Sequence, residues 1–227
     1  MKNKIHKYDF LIVGAGLIGA IAALALTNKK FKVLVIDKKE GILKDDRTLA
    51  VNANSIDFLM QLGIWNKLKS KPQPIDKIII KDYINVKPLV FESKDEYMGE
   101  VIFNKELYRL VRQKLESYKI LKTNINIENS ELLPNKKLFI KNNCYVFKKI
   151  VISIGKNIVS DDKHKSISFR QQHYSYVGFF KHNIDHRNIA YEYFTNRGPL
   201  AILPSPGLPK IKSTFIYSTK DRITNLK

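Results

Sequence analysis

The stretch Asp9-Phe10-Leu11-Ile12-Val13-Gly14-Ala15-Gly16-Leu17-Ile18-Gly19-Ala20 reads as a buried strand running into a glycine-rich turn and then a helix. Its glycines hold the G-x-G-x-x-G spacing, and each plays a separate part. Gly14 permits the tight turn, Gly16 lets the backbone approach a pyrophosphate, and Gly19 lets the helix pack closely on the strand. The helix N-terminus then directs free N–H groups and a partial positive charge at phosphates. A second apolar run over 31–36 ends at Asp37, eighteen residues past Gly19. A carboxylate at that spacing accepts hydrogen bonds from ribose hydroxyls. Two strands, three glycines and the acid together predict a dinucleotide-binding βαβ unit.

Two other readings compete for these residues. In a secretory signal, Lys2, Lys4 and Lys7 would be the basic region and Ala23-Leu24-Ala25 a cleavage site. Asp9 beside the apolar run and three glycines at functional spacing argue against it, as does the strand to Asp37, which cleavage would leave without a partner. A membrane-spanning helix is disfavoured because the run is interrupted by glycines and falls short of bilayer length.

Composition narrows the classes further. A chain of 227 residues buries a real core, and 44% apolar content is globular rather than disordered. Cys144 is the only cysteine, so neither an intrachain disulfide nor a cysteine-based metal site can form. No metal site is expected, and a reducing compartment fits. The formal charge is +19. Such a balance attracts phosphates, nucleic acid or an anionic membrane. Against this, the lysines are scattered through a chain rich in Lys, Asn and Ile, which fits compositional bias. No aromatic-interleaved basic stripe appears, and no nucleic-acid partner is expected.

Along the chain, strands are expected at 8–13, 32–36 and 149–154 in one parallel sheet, with a helix over 17–29. A helix is expected from 55 to near Gly63, the block around Arg47 opening into it, and an amphipathic one over 104–118 carries Leu107, Leu110, Val111 and Leu115 on one stripe. Residues 137–147 read as a hairpin and 160–166 as a loop. The segments 77–91 and 174–217 alternate as a second, largely antiparallel sheet.

The block DDRTLAVNANSIDFLMQLGIW (45–65) follows the acidic strand end. An Arg here is either an exposed residue of a polar turn or a guanidinium held over a cofactor phosphate. The block resembles class A flavoprotein monooxygenases, specifically the ubiquinone-biosynthesis hydroxylases that act on polyprenyl phenols. GEVIFNKEL (99–107), KKIVISIGKNIVS (148–160) and AYEYFTNRGPLAILP (190–204) are similar to further segments of that family. The resemblance spans residues 8 to 217. It implies an α/β fold: a Rossmann-like FAD-binding domain with a parallel sheet, plus a mostly antiparallel and incomplete substrate-domain sheet. The division implied is 1–75 for the FAD-binding βαβ, 76–98 for a first substrate-sheet segment, 99–160 for the return to the FAD domain, and 161–227 for a partial substrate domain.

The resemblance also implies an activity. FAD, reduced by NAD(P)H, activates O₂ to hydroxylate an electron-rich ring. Gly14, Gly16 and Gly19 would contact the pyrophosphate, Asp37 the adenosine ribose, and Arg47 the phosphate–ribityl side. Asn104 and Lys105 match the helix-entry pair, where an Arg is more usual than Lys105. Gly155 remains of an Asp-Gly motif whose Asp is replaced by Ile154. Tyr193, Phe194, Leu203 and Pro204 read equally as pocket lining or sheet core, and no general base is named. The substrate implied is a polyprenyl phenol, and the location cytoplasmic, peripheral to the inner membrane. The sequence given stops at Lys227, where the family continues, so this half is expected to need a second polypeptide for activity. An NAD-dependent oxidoreductase and a non-catalytic remnant are the other readings carried forward.

Overall fold

The computed structural model describes residues 4–41, 46–84, 87–93, 98–127, 136–140, 142–155, 173–207 and 210–223. In chain order the elements are β1 (Lys4–Val13), α1 (Leu17–Asn28), β2 (Val33–Ile36), β3 (Thr48–Asn52), α2 (Ala53–Gln61), a 3₁₀ turn (Trp65–Lys67), β4 (Gln73–Ile75), β5 (Lys77–Asp82) and β6 (Leu89–Glu92). There follow β7 (Gly99–Phe103), α3 (Asn104–Ser117), β8 (Leu121–Lys122), β9 (Lys137–Ile140), β10 (Asn143–Ile152), β11 (Tyr174–Lys181), β12 (Ile189–Thr195), β13 (Gly198–Pro204) and β14 (Lys212–Thr219). They divide into two compact units, Met1–Leu43 with Tyr108–Ser168, and Lys44–Leu107 with Phe169–Lys227.

The first unit is built on a five-stranded sheet ordered β8-β2-β1-β10-β9. β1 pairs parallel with both β2 and β10, so the expected parallel sheet is present. The register aligns Val13 with Ile36 and with Ile152, which brings three strand ends level at one edge. β2 is buried along its whole length, as a strand covered on both faces must be. Leu11, Val13, Leu34, Ile36, Leu138, Tyr145 and Phe147 form the core on one face. Gly19, Ala20, Ala23 and Leu24 are the buried residues of α1, the first three small enough to allow close packing.

Three local readings are corrected. β1 begins at Lys4 rather than at 8. The hairpin arm and the 149–154 strand are one strand, β10, which pairs antiparallel with β9 over 143–146 and parallel with β1 along its length. Residues 48–52 form β3 rather than opening a helix; Thr48 and Val51 are buried and the strand pairs with β7. The helix starts only at Ala53, where the Asn52 Oδ1 accepts the Ser55 N–H at 2.8 Å and caps the first turn. The expected loop at 160–166 lies outside the described residues.

The second unit holds a six-stranded sheet ordered β11-β14-β13-β12-β5-β6 and a three-stranded sheet β3-β7-β4. The larger is antiparallel except where β12 runs parallel to β5, as expected of 77–91 and 174–217. Ile75, Val101 and Ala190 are the buried centre, with Ile78 and Leu203 packed against them.

Candidate functional site

The level strand ends of the first sheet build one edge from β1, β2 and β10. Gly14 has φ +101°, a left-handed conformation that side chains disfavour, and a Cβ there would strike the Ser153 carbonyl. A Cβ on Gly19 would strike both the Gly14 carbonyl and the Ser153 hydroxyl. Both glycines are thus required by the protein's own packing. Gly16 is different. Its φ of −61° and ψ of 172° suit any residue, and a Cβ there meets nothing within 4 Å. The space over Gly16 is open.

That space lies at the start of α1. Gly16 is the N-cap and supplies no side-chain cap, and the first turn carries no acidic residue. The first helical N–H groups lack intrahelical acceptors by geometry, so this end suits an anion. The open cradle and the uncapped N-terminus fit the pyrophosphate of a dinucleotide.

Asp37, at the end of β2, is held from two sides. Its Oδ2 accepts the Ala15 N–H at 2.6 Å and its Oδ1 accepts the Lys39 N–H at 2.7 Å. A carboxylate offers about four lone-pair sites, so about two remain for further donors. Asp37 therefore also ties the glycine turn to the second strand.

Two residues that sequence reasoning missed complete the turn. The Ser153 hydroxyl donates toward the Gly14 carbonyl at 2.9 Å, with the Val13 carbonyl at 3.2 Å, and the Tyr108 hydroxyl donates to the Ala15 carbonyl at 3.3 Å. Carbonyls of the turn are thereby engaged by the protein. The pairing of Val13 with Ile152 was the signal for Ser153, since the next residue of β10 must meet Gly14. No sequence signal marks Tyr108. Ile154 is partly buried and packs against the apolar core of the sheet, a contact that a carboxylate would not make. Gly155 has φ +70° with open space around it, so its conformation, not crowding, calls for glycine.

Arg47 and Lys105 belong to the second unit, where β3 and β7 bring them together. Thr48 pairs with Phe103, and the Arg47 carbonyl accepts the Asn104 N–H at 2.9 Å. The Lys105 Nζ bonds the Asp46 Oδ1 at 2.6 Å, both side chains largely exposed. The neighbouring Glu106 is buried and accepts the backbone N–H groups of Lys69 and Ser70, a structural role. Burial raises the Glu100 carboxyl against the opposing hydrogen bond from Trp65 Nε1. Of the candidate pocket residues, Leu203 and Pro204 are core or buried, whereas Tyr193 stacks on Tyr191 at 5.9 Å and Phe194 is exposed. Among the described residues no group of three or more His, Cys, Asp or Glu side chains could hold a metal. No described helix is long and apolar enough to cross a membrane.

A parallel sheet with its glycine turn, acid and uncapped helix at one edge defines the dinucleotide-binding class of flavoprotein folds. Residues 7–130, more than half the chain, match the FAD binding domain family, and the chain belongs to that family. Its cofactor is FAD, so the NAD-dependent reading gives way. The chain is 26% identical over 231 residues to the ubiquinone biosynthesis monooxygenase COQ6 of Caenorhabditis elegans, covering 89% of this chain and 51% of that protein. It is 27% identical over 212 residues to the ubiquinone hydroxylase UbiL of Rhodospirillum rubrum, covering 88% and 49%. The chain therefore spans about half the length of the curated relatives it matches. Among solved structures, PqsL of Pseudomonas aeruginosa superposes with a TM-score of 0.69 at 14% identity over 94% of this chain and 61% of its own. The p-nitrophenol 4-monooxygenase PnpA of Pseudomonas putida does so at 0.68 and 11%, over 97% and 60%. These likenesses carry the class A flavin monooxygenase fold.

Proposed function

We propose that this chain forms the FAD-holding part of a hydroxylase that oxidises a polyprenyl phenol in ubiquinone biosynthesis, with NAD(P)H as reductant. The open cradle over Gly16 beside Asp37 is the observation that carries the cofactor half of this reading. The names of the COQ6 and UbiL relatives support the substrate half. In this reading Gly14, Gly16 and Gly19 shape the pyrophosphate seat, Asp37 accepts the ribose hydroxyls, and Arg47, Lys105 and Gly155 serve the phosphate–ribityl side. Bound FAD supplies the redox chemistry that inserts one oxygen atom of O₂ into the ring. The chain's residues bind and orient it, and keep water from it. By function this reading assigns 1–75 and 99–160 to the cofactor and 76–98 and 161–227 to the substrate, a division that differs from that of the two compact units. The rest of the relatives' length, in this protein or in a second polypeptide, is needed to close the site.

The test is titration of the purified chain with FAD and, separately, with NAD⁺, followed by assay of prenylated phenol hydroxylation with the remaining half supplied. Saturable flavin binding and hydroxylated product are expected. Binding of NAD⁺ with no affinity for FAD would overturn the reading.

A further inference from the structure

Glu192 sits near the middle of the six-stranded sheet, on β12, with β5 on one side and β13 on the other. Side chains alternate along a strand, so Glu192 shares a sheet face with Ala190, two residues before it. Ala190 is buried with Ile75 of β4 and Val101 of β7, so the three-stranded sheet packs on that end of the face. Glu192 stands one step further along. Its cross-strand neighbours on the face are Ile80 and Ala201, and Ile216 of β14 lies beyond Ala201. Phe194, the next residue of β12 on this face, is 48% exposed. The acid is thus set among apolar side chains.

Among the described residues no donor reaches the Glu192 carboxyl. Burial raises its pKa, and neither a hydrogen bond nor a cation offsets this. Lys81 of β5 lies on the opposite face, its Nζ 5.8 Å from the centre of the Tyr193 ring. Glu100 and Glu106 of the same unit differ. Trp65 Nε1 donates to the first, and the backbone N–H groups of Lys69 and Ser70 to the second. Those two acids hold the fold together. Glu192 loses hydration and makes no bond in return, in a strand position that acids disfavour. An acceptor kept under those conditions is the pattern of a ligand site, where apolar walls take up a hydrophobic body and one polar group fixes its orientation.

We propose that Glu192 accepts the hydroxyl of the phenol substrate, with the apolar side chains around it taking the ring. The identity of the substrate rests on the hydroxylase reading; its orientation and the preference for a free hydroxyl come from this acid. Drawing the O–H proton toward the carboxylate leaves more electron density in the ring, which an electrophilic oxygen requires. The proton stays shared in the hydrogen bond, and no bond is broken at this step. A phenol ether has no donor and would leave the acid unpaired, so the site selects free phenols.

The experiment is calorimetric titration of the FAD-loaded full chain, with the remaining half supplied, using 2-geranylphenol and its methyl ether. Hydroxylated product and melting temperature are measured alongside, for the native protein, Glu192→Gln and Glu192→Leu. The native protein is expected to bind the phenol more tightly than the ether. Glu192→Leu should weaken the phenol about tenfold or more and leave the ether unchanged or tighter, so that the preference collapses. Glu192→Gln, which keeps an uncharged acceptor, should fall between. The melting temperature of Glu192→Leu should hold or rise, because the variant removes a desolvated acid. Equal binding of phenol and ether by the native protein would overturn the proposal, as would an unchanged preference in Glu192→Leu with hydroxylation continuing. A lower melting temperature in that variant would give Glu192 a structural role instead. In each of these cases a hydroxylating native protein leaves the hydroxylase reading standing. Failure of the native protein itself to bind or hydroxylate the phenol would overturn that reading, and this proposal with it.

Discussion

The candidate groups at the edge of the first sheet are backbone N–H groups and one acid, whereas those at the β3–β7 ends of the second unit are long, exposed side chains. The first set is locked. Gly14 and Gly19 are fixed by Ser153, and Asp37 is tied to Ala15 and to Lys39. The second set is loosely held: Lys105 reaches Asp46 through solvent-exposed atoms. A seat made of backbone tolerates almost no substitution yet loses no side-chain entropy when it binds. A cationic arm adapts to its ligand but gives up rotamer freedom to do so.

Gly19→Ala should produce the largest effect, about 3 kcal/mol of lost stability, because its methyl would meet both the Gly14 carbonyl and Ser153. Gly16→Ala should leave the melting temperature nearly unchanged while weakening FAD by about 1–3 kcal/mol. Thermal denaturation and flavin titration on the two variants separate packing from ligand approach, and equal melting losses would break the contrast. Asp37→Ala should weaken FAD by about 1.5–3 kcal/mol with the fold retained, the cost of removing hydrogen bonds to a charged acceptor. Unchanged flavin affinity would leave Asp37 with only its structural role.

A smaller effect concerns pH. Burial holds the His186 imidazole below its ordinary value, His182 and Lys210 add to this, and Asp185 opposes it. Its Nδ1 accepts the Asn188 N–H at 3.0 Å, which favours the neutral ring. The folded state therefore prefers neutral His186, and its contribution is complete above the unfolded pKa of about 6.5. It is lost as pH falls from there through the lower folded value. Denaturant unfolding between pH 7 and pH 5 should show this slope, and His186→Gln should flatten it. Smallest of all, Lys105→Ala should change stability by about 0–1 kcal/mol, since exposed ion pairs contribute little. A larger loss would mean that the second set is not loosely held.

The glycine turn and Asp37 were legible because one βαβ unit of about thirty residues contains them. Their supports were not. Ser153 and Tyr108 reach the turn from 139 and 93 residues away, and such contacts leave no local pattern. β3 escaped notice because its pairing with β7, not its own five residues, makes it a strand. The contact of the Arg47 carbonyl with the Asn104 N–H likewise came from that ladder. The apolar alternation of 77–91 and 174–217 predicted the second sheet correctly, yet did not say which face or edge stays exposed.

The long parallel ladder between β1 and β10 bears on how the chain acquires its structure during synthesis. β1 is the central strand of its sheet, but its partner on one side follows after the whole of the second unit's first segment has been made. Closing a loop of this size is slow, and parallel pairing cannot start from a tight turn. An emerging chain therefore carries β1 and β2 with an open apolar edge until β10 leaves the ribosome, and this interval is when it most needs a chaperone.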